Sequence, residues 1–184
     1  SITETIKETI DYMQAKGEKA GLISVHLYRP FSPKYLMNVL PKSVKRICVL
    51  DRTKEPGANG EPLYLDIKDV LYGTANAPIV VGGRYGLSSK DTTPAQMLAV
   101  YENLKANEPK DHFTVGIVDD VTFTSLPVGP ELHLENKDTF EARFIGLGAD
   151  GTVGANKNSI KIIGNTTDKY CQAYFAYDSK KSGG

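Results

Sequence analysis

The sequence lacks the features that would assign it to several large classes of protein. Its 184 residues carry 22 basic and 22 acidic side chains, so the formal net charge is +0. A balanced charge argues against bulk binding to nucleic acid, which usually requires a basic surface. No apolar run approaches the ~20 residues that a transmembrane helix needs. The amino-terminal stretch SITETIKETIDYMQAKG also lacks the basic and apolar blocks of a signal peptide. We therefore expect no nucleic-acid partner and no membrane association.

Cysteine and histidine are scarce, which limits metal and redox chemistry. Cys48 and Cys171 lie far apart in the sequence, each inside a run typical of a strand. We interpret them as buried thiols of a protein in a reducing cytoplasm, in preference to a disulfide. No CxxC motif occurs and the three histidines are scattered, so we expect no metal site.

The sequence does contain a regular alternation of helical and strand-like patterns. Apolar residues at helical spacing predict helices at 1–17, 33–40, 63–73 and 94–107. Runs typical of buried strands lie at 22–28, 46–50, 78–83 and 113–118. This alternation predicts an α/β fold in which an open, mostly parallel sheet carries helices on both faces.

Polar side chains follow the carboxyl ends of these strands, where ligands of parallel sheets bind. They are Arg29, Asp51, Arg52, Arg84, Tyr85, Asp119 and Asp120. Taken alone they are what any polar loop contains. The long loops at 51–62 and 84–94 are expected at the same edge of the sheet. Because neither loop holds a histidine or cysteine, we expect them to contact other domains rather than to form a catalytic pocket.

A second pattern begins after a stretch without helical or strand period at residues 124–140. EARFIG (141–146), a glycine turn, a helix and YCQAYFAY (170–177) predict a truncated Rossmann-like βαβ unit. One such unit cannot close a core of its own. The predicted domains are therefore residues 1–127 and an incomplete domain at 128–184.

The glycine turn at 146–151, GLGADG, matches the pattern GxGxxG between a strand-like and a helical run. Glycines let the backbone approach a phosphate, and the free amides of a helix amino terminus carry partial positive charge toward it. The turn therefore predicts a ligand that contains phosphate. The proposed contacts come from three glycines, one asparagine and three lysines: Gly146, Gly148, Gly151, Asn156, Lys157, Lys180 and Lys181.

The pattern leaves the identity of this ligand open. Asp178 stands where an NAD-binding unit carries its ribose-binding carboxylate, but Lys180 and Lys181 follow at once. Several ammonium groups suit a more anionic ligand such as coenzyme A. Alternatively, the glycines serve only close packing of helix and strand, and the lysines are solvated. Asp150 opposes an anion, and we interpret it as a helix N-cap without a ligand role.

Five longer stretches together resemble one family. They are LDRTKEPGANGEPLYLDI (50–67), GGRYGLSSKDTTP (82–94), DDVTFTSLP (119–127), FIGLGADGTVGANKNSIKIIG (144–164) and AYDSKKSGG (176–184). Over essentially its whole length the sequence closely resembles an internal fragment of a pyruvate:ferredoxin (flavodoxin) oxidoreductase. Residues 1–127 correspond to a domain similar to the C-terminal domain of transketolases. Residues 128–184 correspond to a linker and the start of a domain similar to the gamma subunit of 2-oxoacid oxidoreductases, which binds coenzyme A.

The resemblance implies a function for the parent enzyme. It would be a cytoplasmic homodimer that converts pyruvate and coenzyme A to acetyl-CoA and carbon dioxide. It would use thiamine diphosphate, Mg²⁺ and [4Fe-4S] clusters, and pass electrons to ferredoxin or flavodoxin. These residues contain no cysteine-rich ferredoxin pattern and no motif for magnesium diphosphate. We therefore expect no catalytic residue in the fragment, which would contact other domains of the parent chain and part of coenzyme A.

Two other functional classes remain open. The chain could be a stand-alone dinucleotide-binding module without catalysis, with the dinucleotide at residues 146–151. Residues 1–127 could also have a purely structural role at an interface. A fragment should expose an apolar surface where missing domains dock, whereas a stand-alone module should not.

Overall fold

A computed structural model describes residues 2–86, 90–118, 121–134 and 138–177 of the chain. The chain forms two compact units, Ser1–Leu134 and Glu135–Gly184. The sequence placed the boundary seven residues earlier, after residue 127, and the assignment of each domain to a family of domains stays a prediction. No helix among the described residues is both long and apolar enough to cross a membrane.

The described part of the first unit contains the predicted helices and strands in sequence, except for the strand predicted at 22–28 between the first two helices. Its elements are α1 (Ile2–Ala15), α2 (Pro33–Val39), β1 (Arg46–Asp51), α3 (Pro62–Leu71), β2 (Ile79–Tyr85), α4 (Pro94–Lys105) and β3 (Phe113–Val115). The three strands form one sheet in the order β1-β2-β3, and both pairs are parallel. The predicted α/β class with an open parallel sheet is confirmed.

Local sequence signals explain where the helices begin. Proline occupies one of the first positions of α2, α3 and α4, where its missing amide hydrogen has no helical partner to lose. Helix α4 also has a capping box. The Thr93 hydroxyl accepts a hydrogen bond from the Gln96 amide at 3.3 Å, and the Gln96 side chain accepts one from the Thr93 amide at 3.2 Å.

Two apolar clusters lie on opposite faces of the sheet. The first core cluster joins α1 and α4 to the strands and contains Ile6, Ile10, Val81, Met97, Val100, Phe113, Val115 and Leu126. The second core cluster joins α2 and α3 to the other face and contains Leu36, Val49, Tyr64, Ile67 and Leu71. Successive strand residues serve alternate clusters, because side chains of a strand point to alternate faces. Cys48 packs against the first cluster and Val49 belongs to the second.

Two adjacent glycines of β2 let an aromatic ring lie directly on each face of the sheet. A Cβ atom on Gly82 would be 2.8 Å from Cδ2 of Tyr64, and one on Gly83 would be 2.3 Å from Cε2 of Phe113. Both rings are fully buried. The Gly-Gly pair at the end of the third predicted strand is therefore a packing requirement of the two core clusters.

Residues 22–28 do not form the predicted strand, so the described residues form a sheet of three strands where the sequence predicted at least four. Ala20 and Leu22 pack against the first core cluster, while Ile23 and Leu27 are exposed. The alternating pattern of LISVHLY gives the segment strand propensity, but no neighbouring strand pairs with it among the described residues. Propensity without a pairing partner does not make a strand.

The described part of the second unit contains one helix, α5 (Thr152–Thr166). Strands were predicted on either side of this helix, at 141–146 and 170–177, but neither is formed. The prediction of a βαβ unit is therefore wrong for its two strands. No residue of α5 is buried. Phe144, Ile145 and Tyr174 of the flanking segments are also exposed. Two strands and one helix bury too little apolar surface to offset the conformational entropy that is lost when a sheet is ordered.

Candidate functional site

The glycine turn of residues 146–151 leads directly into α5, as the sequence predicted, and each of its three glycines has a structural reason. Gly148 and Gly151 have φ angles of 82° and 84°, in the left-handed region that favours glycine. Gly151 is the N-cap residue of α5. A Cβ atom on Gly146 would lie 2.5 Å from Oγ1 of Thr152, so this position has no room for a side chain.

The Asp150 carboxylate accepts hydrogen bonds from residues before and after it in the turn. Its Oδ2 accepts a hydrogen bond from the Leu147 amide at 2.9 Å, and its Oδ1 accepts from the amide and the hydroxyl of Thr152 at 3.0 and 2.6 Å. These hydrogen bonds lower the pKa of Asp150 to about 2, and the one from the Thr152 hydroxyl makes the largest contribution. The sequence predicted Asp150 as the N-cap, whereas it precedes the N-cap by one residue and satisfies the first amide of α5.

This carboxylate restricts where an anion can bind at the turn. Asp150 is negatively charged near neutral pH, and it already accepts hydrogen bonds from two of the turn's amides. The next amides of the first helical turn belong to Val153 and Gly154, and they have no acceptor among the described residues. A phosphate at this turn would therefore meet the amides of Val153 and Gly154 rather than those held by Asp150.

The other predicted contacts are only partly brought together. Asn156 and Lys157 lie on α5, just beyond the first turn of the helix. Nζ of Lys157 lies 5.6 Å from the centroid of the Phe175 ring, which is a cation-π distance. Lys180 and Lys181 lie outside the described residues. The structure thus gathers three glycines, an asparagine and a lysine near one helix end.

Comparison with known proteins identifies the chain's family. A model described as pyruvate:ferredoxin oxidoreductase core domain II matches residues 1–97. The pyruvate:ferredoxin oxidoreductase of Moorella thermoacetica is 60% identical over 184 residues, which is 100% of this chain and 16% of the relative. The pyruvate-flavodoxin oxidoreductases of Enterobacter agglomerans and Klebsiella pneumoniae are 58% and 56% identical, again over 100% of this chain and 16% of each relative. The chain belongs to the pyruvate:ferredoxin oxidoreductase family.

Membership of this family extends through both units of the chain. The match to core domain II runs from α1 into the first turn of α4. The full-length relatives align with the second unit as well, including the glycine turn. The chain spans about a sixth of the length of these oxidoreductases.

At the carboxyl edge of the sheet of the first unit, the charged side chains pair with groups of the same unit. Arg84 forms an ion pair with Glu61 at 3.1 Å, and both side chains are largely buried. Asp51 accepts hydrogen bonds from the first amides of α3, those of Leu63 and Tyr64, at 3.2 and 3.1 Å. Burial raises the pKa of Asp51 in spite of these two hydrogen bonds.

The two long loops meet at this edge, as predicted. Nε of Arg52, in the first loop, donates a hydrogen bond to the carbonyl oxygen of Gly86, in the second, at 2.6 Å. Arg29 follows the strand that is not formed at 22–28, and it pairs with Asp66 of α3 at 2.6 Å. Asp119 and Asp120 lie outside the described residues. These pairings stabilise the edge itself, and contact of the loops with other domains stays a prediction.

A polar cluster around Tyr64 was missed by the sequence analysis. The Tyr64 hydroxyl donates a hydrogen bond to Asp111 at 2.6 Å and lies 3.0 Å from Nζ of Lys68. Asp111 also accepts from the amides of Gly82 and His112, at 2.6 and 2.9 Å. Burial acts to raise the pKa of Asp111, but these hydrogen bonds outweigh it and lower the pKa. The cluster links α3, β2 and the start of β3, and its residues are too far apart in sequence to show a motif.

The two cysteines carry no evident chemistry in the structure. Both are free thiols and both are partly buried. Burial raises the pKa of Cys48, which keeps this thiol protonated and unreactive near neutral pH. The described residues contain no group of three or more histidine, cysteine, aspartate or glutamate side chains that could hold a metal ion.

Proposed function

We propose that the full-length protein containing this chain oxidises pyruvate with coenzyme A to acetyl-CoA and carbon dioxide, and transfers the electrons to ferredoxin or flavodoxin. The observation that carries the proposal is identity of 56–60% across the whole chain with relatives named as pyruvate:ferredoxin or pyruvate-flavodoxin oxidoreductases. Identity at this level over a complete segment supports a shared activity. We further propose that the protein acts as a homodimer in the cytoplasm.

We assign the cofactor sites of this reaction to parts of the full-length protein outside these 184 residues. Thiamine diphosphate with Mg²⁺ would supply the carbanion chemistry of decarboxylation, and [4Fe-4S] clusters would carry the electrons. The described residues do not fit an iron–sulfur cluster, because they contain no group of three or more potential metal ligands. Within the parent enzyme, we assign the first unit a structural and interface role, because the charged side chains at its sheet edge pair with groups of the same unit.

The second unit is proposed to contact the phosphates of coenzyme A at the glycine turn. The amides of Val153 and Gly154 are oriented by α5, whose macrodipole favours an anion at this end. Because Asp150 repels an anion, lysine side chains must supply the compensating positive charge. Lys157, Lys180 and Lys181 are the candidates, with Asn156 as a neutral donor. A stand-alone dinucleotide module is less well supported, because the relatives are about six times longer.

Steady-state kinetics of the full-length enzyme test this site. Lys157→Ala, Lys180→Ala and Lys181→Ala each remove an ammonium group, and loss of one charge-assisted hydrogen bond costs about 1.5–3 kcal/mol. We expect the KM for coenzyme A to rise about ten- to a hundredfold for a lysine that meets a phosphate, with the KM for pyruvate unchanged. Lys161→Ala is the matched control, since Lys161 is an exposed lysine of the same helix.

The possible outcomes distinguish an error in the assignment of the coenzyme A site from an error in the proposed activity. If all three variants keep the control's KM for coenzyme A, the lysines are solvated surface groups and the site assignment is wrong, while the activity stands. If the unmodified full-length enzyme does not form acetyl-CoA from pyruvate and coenzyme A, the proposed activity itself is wrong.

A further inference from the structure

The loop between β1 and α3 contains an asparagine followed by a glycine, Asn59-Gly60. Asn59 is exposed, and it follows a turn in which the Ala58 amide donates a hydrogen bond to the carbonyl oxygen of Glu55 at 3.2 Å. Within the described part of the chain, neither the Asn59 carboxamide nor the Gly60 amide takes part in a hydrogen bond. The carbonyl carbon of this side chain and the main-chain nitrogen that follows it are therefore both free to react.

These two groups can react with each other, and water is the only other reactant. The Gly60 nitrogen attacks Cγ of Asn59 and gives up its proton, the Cγ–Nδ2 bond breaks, and ammonia leaves with that proton. The product is a cyclic succinimide, which water then opens at one of its two carbonyl carbons. Attack at Cγ gives aspartate. Attack at the main-chain carbonyl carbon gives isoaspartate, in which the main chain continues through Cβ and Cγ. No electrons are transferred, so no oxidant or reductant is needed.

The glycine that makes this pair reactive is required by the core. A Cβ atom on Gly60 would be 2.7 Å from Cε1 of Tyr64, and Gly60 is itself buried. The Tyr64 ring belongs to the second core cluster and is fully buried. A bulkier residue at position 60 would hinder closure of the succinimide, but it would also displace this ring. The packing of the first unit thus keeps glycine after Asn59.

Asn103 of α4 shows what prevents the same reaction. Its Nδ2 donates a hydrogen bond to the carbonyl oxygen of Lys110 at 2.9 Å, and its Oδ1 accepts one from the Lys110 amide at 2.9 Å. The branched side chain of Leu104 follows it. Asn59 has neither restraint. We infer that Asn59 is a site of spontaneous deamidation in the folded protein, where the carboxamide is replaced by aspartate or isoaspartate.

The modification changes both charge and chain length at the entry to α3. Aspartate or isoaspartate at position 59 places a new carboxylate near Glu61 in the sequence, and Glu61 is the N-cap residue of α3. Isoaspartate also adds one carbon atom to the main chain directly before Gly60. The proposal concerns only this chemical change, and it is independent of the proposed coenzyme A site.

Peptide mass spectrometry of the full-length protein, incubated at mildly alkaline pH, tests the site. We expect the Asn59 peptide to convert about tenfold faster than the Asn103 peptide, or more, because Asn103 must first break its two hydrogen bonds with Lys110. An isoaspartate methyltransferase should label the converted peptide. Conversion at Asn59 in the native protein should stay within about threefold of that in urea, because an exposed loop has little structure to open.

Asn59→Gln is the matched variant. It keeps a carboxamide at an exposed position, but the longer side chain would have to close a larger ring, so we expect its peptide to stay unconverted and unlabelled. Conversion at Asn59 no faster than at Asn103 would overturn the inference. Native conversion more than about tenfold slower than in urea would also overturn it, and would indicate that the fold or another domain protects the loop. Methyltransferase labelling that is undiminished in Asn59→Gln would place the isoaspartate at another residue and refute the assignment.

Discussion

The substitution Gly83→Ala should destabilise the first unit by overpacking its core. The added Cβ atom would lie 2.3 Å from both Cε2 and Cζ of Phe113. Real Cβ atoms do not approach ring carbons this closely, so the ring or the strand must move. Phe113 is fully buried among Val81, Met97 and Val115 of the first core cluster, which leaves it little freedom to shift.

Two effects of opposite sign determine the magnitude. Inserting a methyl group into a well-packed core costs about 1–3 kcal/mol. Replacing glycine with alanine stabilises by about 0.4–1 kcal/mol through the unfolded state, provided the backbone conformation suits alanine. Gly83 lies in β2 without a positive φ angle, so this second term applies. We expect a net loss of about 1–2 kcal/mol in the free energy of unfolding.

Urea denaturation followed by far-ultraviolet circular dichroism measures this loss, since the chain contains no tryptophan for fluorescence. Gly21→Ala is the matched control, because a Cβ atom there would meet nothing within 4 Å. Gly82→Ala should also destabilise, through Tyr64 on the other face of the sheet. If Gly83→Ala is as stable as Gly21→Ala, the close approach of Phe113 to β2 is not a constraint and the packing argument fails.

Other predictions concern helix ends and the glycine turn. Thr93→Ala removes the capping box of α4, for which we expect a loss of about 1 kcal/mol in the urea titration; an unchanged midpoint would contradict a capping role. Gly151→Ala places alanine at a φ of 84°, which costs about 1–2 kcal/mol, and should speed amide exchange at the start of α5. Gly164→Ala, in open space within the same helix, should instead slow that exchange, since alanine is favoured over glycine by about 1 kcal/mol. Asp150, with its depressed pKa, stabilises the turn above the unfolded pKa of about 3.9, and this contribution is lost as the pH falls through about 2. A carboxyl chemical-shift titration of Asp150 with a midpoint near 4 would refute its hydrogen bonds.

The sequence predicted most of the first unit because its signals are local. The helical spacing of Ile6, Ile10 and Met13 predicts α1, and the apolar runs at 46–50 and 78–83 predict β1 and β2. Proline marks the starts of α2 and α4. Each of these signals depends on residues a few positions apart, so it can be read along the chain. The glycine turn belongs to the same class, since a left-handed φ angle is a property of one residue.

The sequence by itself thus determined the α/β class, the parallel character of the sheet and the turn before α5. Only the tertiary structure decided which apolar runs become strands, because a strand exists only when a neighbour pairs with its backbone. For that reason 22–28, 141–146 and 170–177 remain outside any sheet in spite of their composition. The hydrogen bond between Tyr64 and Asp111 likewise joins residues 47 positions apart. Such contacts depend on how β2, with its two glycines, brings α3 against the start of β3, and no local pattern encodes that approach.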